Sequence, residues 1–394
     1  MTALDLTSHF AKFRAAAPER INLAAHSHHD WPDVTFSAQE ECWRDAARLG
    51  GDKWGFVFGE LIPKIQAGIA QQLRLPDPAT IAVAPNTHEF FRRLLSCFLA
   101  DRPIRILTSD AEFHTARRQL ARLEEDGLVA VERIAAEPFA TFAARFQAAC
   151  AKGGHDLVFV SQVFFTSAAT CGDIAALVKA VPSRDTFVVI DGYHGFMARP
   201  TDLYEVAERA FYVAGGYKYA MAGEGACFMH CPPGYGPRPR DTGWYADFGA
   251  LAAPAGKAVG YPNDGRRFLG ATFDPVGLYR LAAVFDFLTA QNLDVARIHA
   301  HAGALMAQFL DGVAAIGIAG LARTDVITPF GLDAAHGNFL TFRNPRAGEI
   351  EARLAKVGVH CDHRGDRLRF GFGLCNSAAD VERALARIKD VFAT

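Results

Sequence analysis

Short apolar runs alternate with segments of helical periodicity between residues 80 and 232, and this pattern constrains the fold of the 394-residue chain most. The apolar runs have the length of strands that are buried on both faces. Strands that alternate with helices form a mostly parallel sheet covered by helices, so this region is predicted to be an α/β domain. The predicted strands are Ile81–Ala84, Ile104–Thr108, Leu157–Val160, Phe187–Ile190, Phe211–Ala214 and Ala226–His230, and the predicted helices are Glu89–Leu99, Ala116–Glu125, Phe139–Cys150 and Ile174–Val181.

The remainder of the chain differs in composition and periodicity. Residues 234–267 are rich in Gly and Pro without sustained periodicity, which predicts a long loop of the kind that often carries function. A helical stretch over Val276–Phe309 follows, and then a smaller α/β arrangement. We therefore predict an N-terminal segment (1–45) that packs near the active site and the small domain, a large domain (46–265) and a small C-terminal domain (266–394). In the last, we predict strands near Asn338–Arg343 and Arg367–Phe372 and helices near Glu349–Val357 and Ala378–Phe392.

Composition narrows the classes of function. Half of the residues are apolar, 21% are charged and the net charge is −2, which predicts a soluble globular protein and excludes a disordered chain. No basic tract offers a surface for nucleic acid or acidic membranes, and no apolar run reaches the roughly 18 residues of a membrane span. The N-terminus lacks the pattern of an export signal, so we expect a cytoplasmic protein with small-molecule partners. Eight scattered cysteines without a C-x-x-C pair argue against disulfides or structural zinc.

Two residues at predicted strand ends suggest the chemistry. Asp191 ends one strand, and Gly215-Gly216 ends another and leads to Lys218. The carboxyl ends of strands in an open α/β sheet line the crevice that binds ligands, so the two side chains can face one site. A partly desolvated lysine has a lowered pKa and can form a Schiff base, and a carboxylate can keep the ring nitrogen of pyridoxal phosphate protonated. Taken singly, Lys218 could be an ordinary surface lysine, and Asp191 could be an ordinary aspartate at the end of a strand.

Two motifs carry a family resemblance. The D-x-x-H run from Asp191 to His194 and the Y-K-Y run from Tyr217 to Tyr219 resemble the class V aminotransferase family of fold-type I pyridoxal phosphate enzymes, and most closely its kynureninase branch. The resemblance implies a large domain with a mostly parallel sheet plus a smaller C-terminal α/β domain. It also implies pyridoxal 5'-phosphate as cofactor, an amino acid substrate, and a homodimer with active sites at the subunit interface.

The resemblance implies roles for the residues around the cofactor. Lys218 matches the lysine that forms the Schiff base and then moves the α-proton, and Asp191 matches the partner of the ring nitrogen. His194 matches a contact near the ring hydroxyl, and Phe113 an aromatic ring stacked over the cofactor. The start of the predicted Glu89–Leu99 helix fits a phosphate site, because a helix N-terminus offers free N–H groups and a favourable dipole. The other residues with implied roles are Thr87, His88 and Tyr217 at the phosphate, Ser161 beside the cofactor, and Thr272 at the phosphate of a neighbouring subunit.

On the substrate side, Arg369 matches the residue that binds the substrate carboxylate, since a guanidinium fork suits a carboxylate, and Arg364 is its rival. Trp244 matches an aromatic residue beside the substrate, and His28 could contact the substrate at the mouth of the site. The cluster that contains His28, residues 26–30, could alternatively bind a metal, although it lacks the ligand spacing of a closed zinc site. We expect no metal.

The sequence also departs from the branch that it most resembles. Phe273 stands where kynureninases have an asparagine that helps to hold the substrate's ketone. This departure favours a class V aminotransferase over a kynureninase-like hydrolytic β-lyase that cleaves kynurenine or a related γ-oxo amino acid. A catalytically idle binding protein on the same fold is a further, less favoured alternative. A cysteine desulfurase would need a reactive thiol on a loop after the small-domain arginine, and neither Cys361 nor Cys375 is well placed for that role.

Overall fold

The computed structural model describes residues 4–98, 101–234, 236–250, 258–330 and 335–393. Numbered in chain order, the α-helices are α1 (Ala11–Ala16), α2 (Val34–Leu49), α3 (Lys53–Phe56), α4 (Ile62–Leu73), α5 (Thr87–Leu95), α6 (His114–Glu125), α7 (Phe139–Lys152), α8 (Ile174–Ala180), α9 (Val276–Ala290), α10 (Val295–Ile316), α11 (Ala347–Lys356) and α12 (Ala378–Ala393). The strands are β1 (Ile21–Asn22), β2 (Ile81–Ala84), β3 (Ile104–Ser109), β4 (Val129–Ile134), β5 (Leu157–Ser161), β6 (Phe187–Asp191), β7 (Ala210–Gly215), β8 (Cys227–His230), β9 (Phe339–Arg343), β10 (Val359–His360), β11 (Asp362–Arg364) and β12 (Arg367–Gly371).

Seven strands form the central sheet in the order β2-β8-β7-β6-β5-β3-β4. Strand β8 is antiparallel to both of its neighbours, and the other adjacent pairs are parallel. Strands β5, β6 and β7 are almost wholly buried, which explains their near-continuous apolar sequences. The predicted α/β fold with a mostly parallel sheet is confirmed.

The chain reverses its direction of travel across the sheet between β3 and β5. From β3 the chain passes through α6 to β4 on one side, and from β5 it passes through α8 to β6 on the other. The β3–β5 ladder contains only the register pairs Ile106↔Leu157 and Leu107↔Val158, whereas the β5–β6 ladder continues to Ser161↔Asp191. The regular pairing of β3 with β5 therefore stops before their carboxyl ends, which is the edge where ligands bind in such sheets.

The C-terminal region has a separate hydrophobic core. Strands β11, β12 and β9 form an antiparallel sheet, and apolar residues of α10, α11 and α12 pack against it. Strand β1 pairs with β10 through Ile21↔Val359, so the N-terminal segment adds to this second core. Helix α9 packs in the first core with the large sheet. The domain boundaries at residues 45/46 and 265/266 stay a prediction.

Several predicted elements differ from the observed ones. Strand β4 was not predicted, because its sequence mixes apolar residues with Glu132 and Arg133 at the edge of the sheet. The helical stretch predicted over Val276–Phe309 is observed as two helices, α9 and α10, which are separated by a turn with Asn292 at positive φ and Asp294 as N-cap. Helix α5 ends at Leu95, and Leu99, where we predicted its end, lies outside the described residues.

The predicted loop over residues 234–267 is largely irregular where the structure describes it, with short 3₁₀ turns at Trp244–Ala250 and Gly265–Phe268. Residues 235 and 251–257 of that loop lie outside the described part of the chain. No described helix combines the length and the apolar character that crossing a bilayer requires.

One buried arginine of α9 ties the second half of the fold to the loop that follows Lys218. The Nε and Nη2 atoms of Arg280 donate to the carbonyl oxygens of Ala222 (2.6 Å) and Glu224 (2.5 Å), and Nη1 donates to Gln39 Oε1 at 3.0 Å. The guanidinium also lies 4.9 Å from the ring centroid of Trp31. These bonds fix a loop that has no regular secondary structure of its own.

We expect Arg280→Ala to lower the free energy of unfolding by roughly 2–4 kcal/mol, because it leaves the buried carbonyl oxygen of Ala222 and the partly buried one of Glu224 without their donors. Urea unfolding followed by circular dichroism measures the change. Arg280→Lys should recover only part of the loss, since an ammonium cannot reproduce the planar fork. The matched control is Arg122→Ala, which removes an exposed ion pair and should change the midpoint little. An Arg280→Ala midpoint equal to that of Arg122→Ala would contradict the expectation.

Candidate active site

A cavity of about 250 Å³ lies at the carboxyl ends of the central strands, beside the start of α5. Strands β5 and β6 end in two of its lining residues, and the segments that follow β3 and β7 supply others. This is the edge of the sheet where the pairing of β3 with β5 has ended. It brings together eight of the residues that the sequence singled out: Thr87, His88, Phe113, Ser161, Asp191, His194, Tyr217 and Lys218.

Lys218 reaches the cavity from the segment after β7. Gly215, the last residue of that strand, has no room for a side chain, since a Cβ there would lie 2.2 Å from the hydroxyl oxygen of Tyr193. The lysine is only 4% exposed, and its Nζ lies 2.5 Å from Nε2 of His194. Burial, followed in size by the positive charge of Arg369, lowers the pKa of Lys218 to about 7. A large fraction of the amine is therefore neutral near pH 7, which makes it a nucleophile.

Asp191 is the carboxylate of the cavity. Its Oδ1 accepts a hydrogen bond of 2.9 Å from the backbone N–H of Tyr193. Burial raises the pKa of Asp191, while the hydrogen bond from Tyr193 and the charge of Lys218 act in the opposite direction. A buried carboxylate is costly without a positive partner, and a protonated ring nitrogen beside Asp191 would supply one.

The first turn of α5 forms another wall of the cavity. The side chain of Asn86 caps the helix by accepting a hydrogen bond of 3.0 Å from the N–H of Glu89. Thr87 and His88, the first residues of the helix, line the cavity together with Tyr217. The ring of Tyr217 lies between those of His28 (centroids 5.0 Å apart) and Tyr193 (4.9 Å). A helix N-terminus with polar side chains in its first turn suits a phosphate.

Phe113 and Ser161 face each other across the crevice between β3 and β5. The ring centroid of Phe113 is 5.3 Å from Lys218 Nζ, and Phe165 contacts the ring edge-on at 5.4 Å. Phe113 is thus a cavity residue and not part of the core. Ser161 lines the cavity beside Asp191, and its hydroxyl donates to the buried Glu112 at 2.6 Å.

Arg369 lies behind the cavity, outside its lining residues. Its Nε and Nη2 donate to the two carboxylate oxygens of Asp362, at 2.8 and 2.5 Å, and Nη1 donates to the carbonyl oxygen of Phe165. His26 contacts the same carboxylate, with Nε2 3.0 Å from Oδ1. Together with Arg369, His26 holds the pKa of Asp362 far below its usual value despite burial. Arg364, the rival for the substrate carboxylate, is largely exposed and 3.7 Å from Asp362.

The remaining predicted site residues lie outside the cavity of this chain. Trp244 is 44% exposed and packs on Tyr245, with ring centroids 4.3 Å apart. Thr272 is exposed on the loop before α9. His28 stacks on Tyr217 at the mouth, and its Nε2 is 3.7 Å from Glu224, which lines the cavity.

The histidines of residues 26–30 do not converge on one point. His26 contacts Asp362, whereas His29 Nδ1 contacts the carbonyl oxygen of Asp30 at 2.6 Å. His28 stacks on Tyr217. Within the described ranges, no group of three or more His, Cys, Asp or Glu side chains is arranged to hold a metal.

Four residues that shape the site were not predicted from the sequence: Glu112, Tyr193, Phe165 and Asp362. Glu112 directly precedes Phe113, and Tyr193 lies inside the D-x-x-H run, so their positions were within reach of the motif argument. Asp362 pairs with Arg369 across the β11–β12 hairpin, and only the register of that hairpin reveals the pairing.

The family model described as "Aminotransferase class-V" matches residues 55–384. The chain belongs to this family. Pyridoxal 5'-phosphate is its cofactor, and the class V fold-type I architecture agrees with the sheet described above.

Known relatives share the fold at low identity. A probable cysteine desulfurase from Vibrio cholerae serotype O1 is 27% identical over 233 residues, which cover 55% of this chain and 53% of the relative. The chain thus matches about half the length of this curated relative. Among solved structures, the cystine C-S lyase C-DES in complex with cysteine persulfide is 16% identical with a TM-score of 0.79, and the match covers 96% of this chain and 99% of that one. The apo cysteine desulfurase from Thermococcus onnurineus NA1 is 15% identical with a TM-score of 0.79, over the whole of both chains.

The residues of the cavity fit this cofactor. The buried amine of Lys218 suits an aldehyde, and Asp191 suits a protonated ring nitrogen. Nδ1 of His194 is buried and has no hydrogen-bond partner among the described residues. Buried polar atoms normally have a partner, and a polar group of the bound cofactor would supply one. The first turn of α5 suits a phosphate.

The lowered pKa of Lys218 predicts how its reactivity depends on pH. In protein freed of cofactor, the amine should react with acetic anhydride at a rate that rises through pH about 7, because burial disfavours the charged ammonium. Lys179 is the internal control, since its ion pair with Glu205 raises its pKa above 10.5. Peptide mass spectrometry of one sample gives both rates. Equal pH dependence of the two lysines would contradict the lowered pKa.

Proposed function

We propose that the protein is an aminotransferase that moves the amino group of an amino acid to a 2-oxo acid. The observation that carries the proposal is the placing of the Lys218 amine and the Asp191 carboxylate in one cavity, with the ring of Phe113 beside the amine. When bound, pyridoxal phosphate supplies an electron sink that weakens the bonds at the substrate Cα. The protein then decides which of those bonds breaks.

We assign the cofactor contacts by position. Lys218 holds the cofactor covalently and afterwards takes or returns the proton at the substrate Cα. Asp191 keeps the ring nitrogen protonated, and His194 donates near the ring hydroxyl. Phe113 stacks on the ring and fixes its plane. Thr87, His88 and Tyr217 bind the phosphate.

Arg369 is the proposed site for the substrate carboxylate. Its positive charge lowers the pKa of Lys218 more than that of Arg364 does, so it acts on the amine more strongly. The guanidinium has more N–H donors than its bonds to Asp362 and Phe165 use. Arg364 remains the rival at the more exposed position.

The exposed site residues fit a homodimer. Thr272 and Trp244 do not line the cavity of their own chain, and both are accessible at the surface. We propose that they complete the active site of a second copy, with Thr272 at its phosphate and Trp244 beside its substrate. His28 is the proposed substrate contact at the mouth of its own cavity.

The state of the cysteines supports transamination over sulfur transfer through a protein thiol. All eight cysteines lie in the described ranges. Cys361 and Cys375, the two near Arg369 in sequence, are buried, and burial raises the pKa of each thiol well above its usual value. Cys227 lines the cavity, but burial raises its pKa to about 12. Such thiols are protonated near neutral pH and are poor nucleophiles.

The kynureninase-like alternative has less support. Phe273 packs within an aromatic cluster, with ring centroids 5.6 Å from Trp54 and 6.0 Å from Tyr245. A phenyl ring offers no hydrogen bond to a substrate ketone.

The direct test is a substrate screen of the purified enzyme. Amino acids are offered with 2-oxo acid acceptors, while sulfide release from cysteine and alanine release from kynurenine are measured in parallel. We expect 2-oxo acid to form beyond one equivalent per active site only when an acceptor is present, because the acceptor has to take the amino group before the next turnover. Sulfide or alanine release without an acceptor would replace the proposal by a C–S or C–C lyase, and no turnover with bound cofactor would favour a binding protein.

The lysine assignment has its own test. The wild-type protein should show the visible absorption of covalently held pyridoxal phosphate, and Lys218→Ala should lose this band. Its turnover should fall by at least a thousandfold, roughly the cost of removing a nucleophile. Lys179→Ala is the matched control on an exposed lysine. A Lys218→Ala variant that keeps the band would refute the assignment.

The buried thiols give a further expectation. The double variant Cys361→Ser, Cys375→Ser should keep kcat within about twofold of the wild type after correction for folded protein, because neither thiol takes part in the reaction. Steady-state kinetics with the best donor, alongside thermal unfolding, checks this. A loss of turnover above a hundredfold in well-folded variant would show that one thiol is catalytic.

A further inference from the structure

Glu112 is a buried carboxylate just beyond the end of the ladder between β3 and β5. It is 2% exposed and directly precedes Phe113. Its Oε1 accepts from the Ser109 hydroxyl at 2.5 Å. Its Oε2 accepts from the Ser161 hydroxyl at 2.6 Å and from the Ser161 backbone N–H at 3.0 Å. One side chain therefore joins the end of β3 to the end of β5.

The bonds of Glu112 take the place of ladder hydrogen bonds at the ends of β3 and β5. The β3–β5 ladder ends at Leu107↔Val158, so the backbone N–H of Ser161 has no partner strand on that side. A buried N–H without an acceptor is costly, and Glu112 removes that cost beyond the end of the ladder. The ends of β3 and β5 are thus joined by a defined side-chain contact in place of ladder bonds.

Burial raises the pKa of Glu112 to about 7, while the bonds from Ser109 and Ser161 favour the ionised carboxylate. The two hydroxyls and the backbone N–H all donate to it in the observed geometry, and bonds to a charged acceptor are stronger than neutral ones. The bond from Ser161 fixes the direction of its hydroxyl inside the cavity wall. The bond from Ser109 fixes the turn that ends in Phe113, where Ser109 Oγ also accepts from the N–H of Ala111 at 3.2 Å.

We propose that Glu112 is a positioning residue that sets the pose of the cofactor ring by fixing Ser161 on one side and Phe113 on the other. It acts through these two residues and does not touch the cofactor. The inference rests on the proposed stacking of the ring on Phe113 near Asp191.

The test measures cofactor binding and cofactor pose apart from turnover. Wild type, Glu112→Ala, Glu112→Gln, Ser161→Ala and the double variant Glu112→Ala, Ser161→Ala are freed of cofactor and titrated with pyridoxal phosphate. Protein fluorescence gives the dissociation constant, and the visible circular dichroism of the bound cofactor reports the pose. Far-ultraviolet circular dichroism and thermal unfolding monitor the fold.

We expect Glu112→Ala to weaken cofactor binding about tenfold, the order of one lost charge-assisted hydrogen bond, and to change the visible circular dichroism. Glu112→Gln should lie between it and the wild type, because the amide keeps one acceptor. The double variant should bind no more weakly than the weaker single variant, since both substitutions break the same link.

The matched control is Glu132→Ala on neighbouring β4, where the carboxylate is largely exposed and contacts His155. It should match the wild type in binding and dichroism. If Glu112→Ala does not fold, Glu112→Gln and Ser161→Ala decide the matter.

Folded Glu112 variants with wild-type binding and dichroism would overturn the inference, and so would full additivity in the double variant. Wild-type protein that binds cofactor but turns over no amino acid would instead refute the proposed function and leave the role of Glu112 standing.

Discussion

The site depends on the burial of the Lys218 amine away from water. A buried ammonium is costly without a close anionic partner, and the atom nearest to Nζ is a neutral imidazole nitrogen of His194, whose own pKa burial holds well below 6.5. The amine therefore gives up its proton far more readily than an exposed lysine does. Asp191 and Asp362 counter this effect but do not cancel it. The reactivity of the lysine thus follows from burial rather than from a neighbouring base.

The sheet topology explains why such a buried amine can still be reached. The chain leaves the two central strands toward different neighbours, and the ladder between β3 and β5 ends at Leu107 and Val158. A cavity of about 250 Å³ lies at the carboxyl ends of these apolar strands. Residues that end adjacent strands meet at that cavity although they are far apart in sequence. The loop after Lys218 has to be held from outside the sheet, and Arg280 on α9 does so through the carbonyl oxygens of Ala222 and Glu224.

The sequence predicts what depends on local pattern and strand order. Lys218 and Asp191 were recognised because each follows an apolar strand, and parallel strands bring such ends to one edge. Thr87 and His88 were assigned from the family resemblance and from their place at the start of a predicted helix, where free N–H groups suit a phosphate. Pairing between distant segments was beyond reach: nothing near Arg369 in sequence shows that His26 shares its partner Asp362, 336 residues away from His26. The same holds for Glu112, whose bonds to Ser161 depend on where a ladder stops.

The pairing of Arg369 with Asp362 also bears on the proton chemistry that we propose. Arg369 and Lys218 are close enough for each positive charge to oppose the other, and the arginine keeps its proton because its ordinary pKa is so much higher. Asp362 stabilises the guanidinium but leaves enough of its positive charge to disfavour an ammonium at Lys218. A substrate carboxylate bound at Arg369 would add a negative charge at this place and raise the pKa of the lysine, since a nearby anion favours the protonated amine. On the proposed roles, binding of the substrate therefore turns a lysine suited to attack an aldehyde into a stronger base at the moment when the α-proton has to be removed.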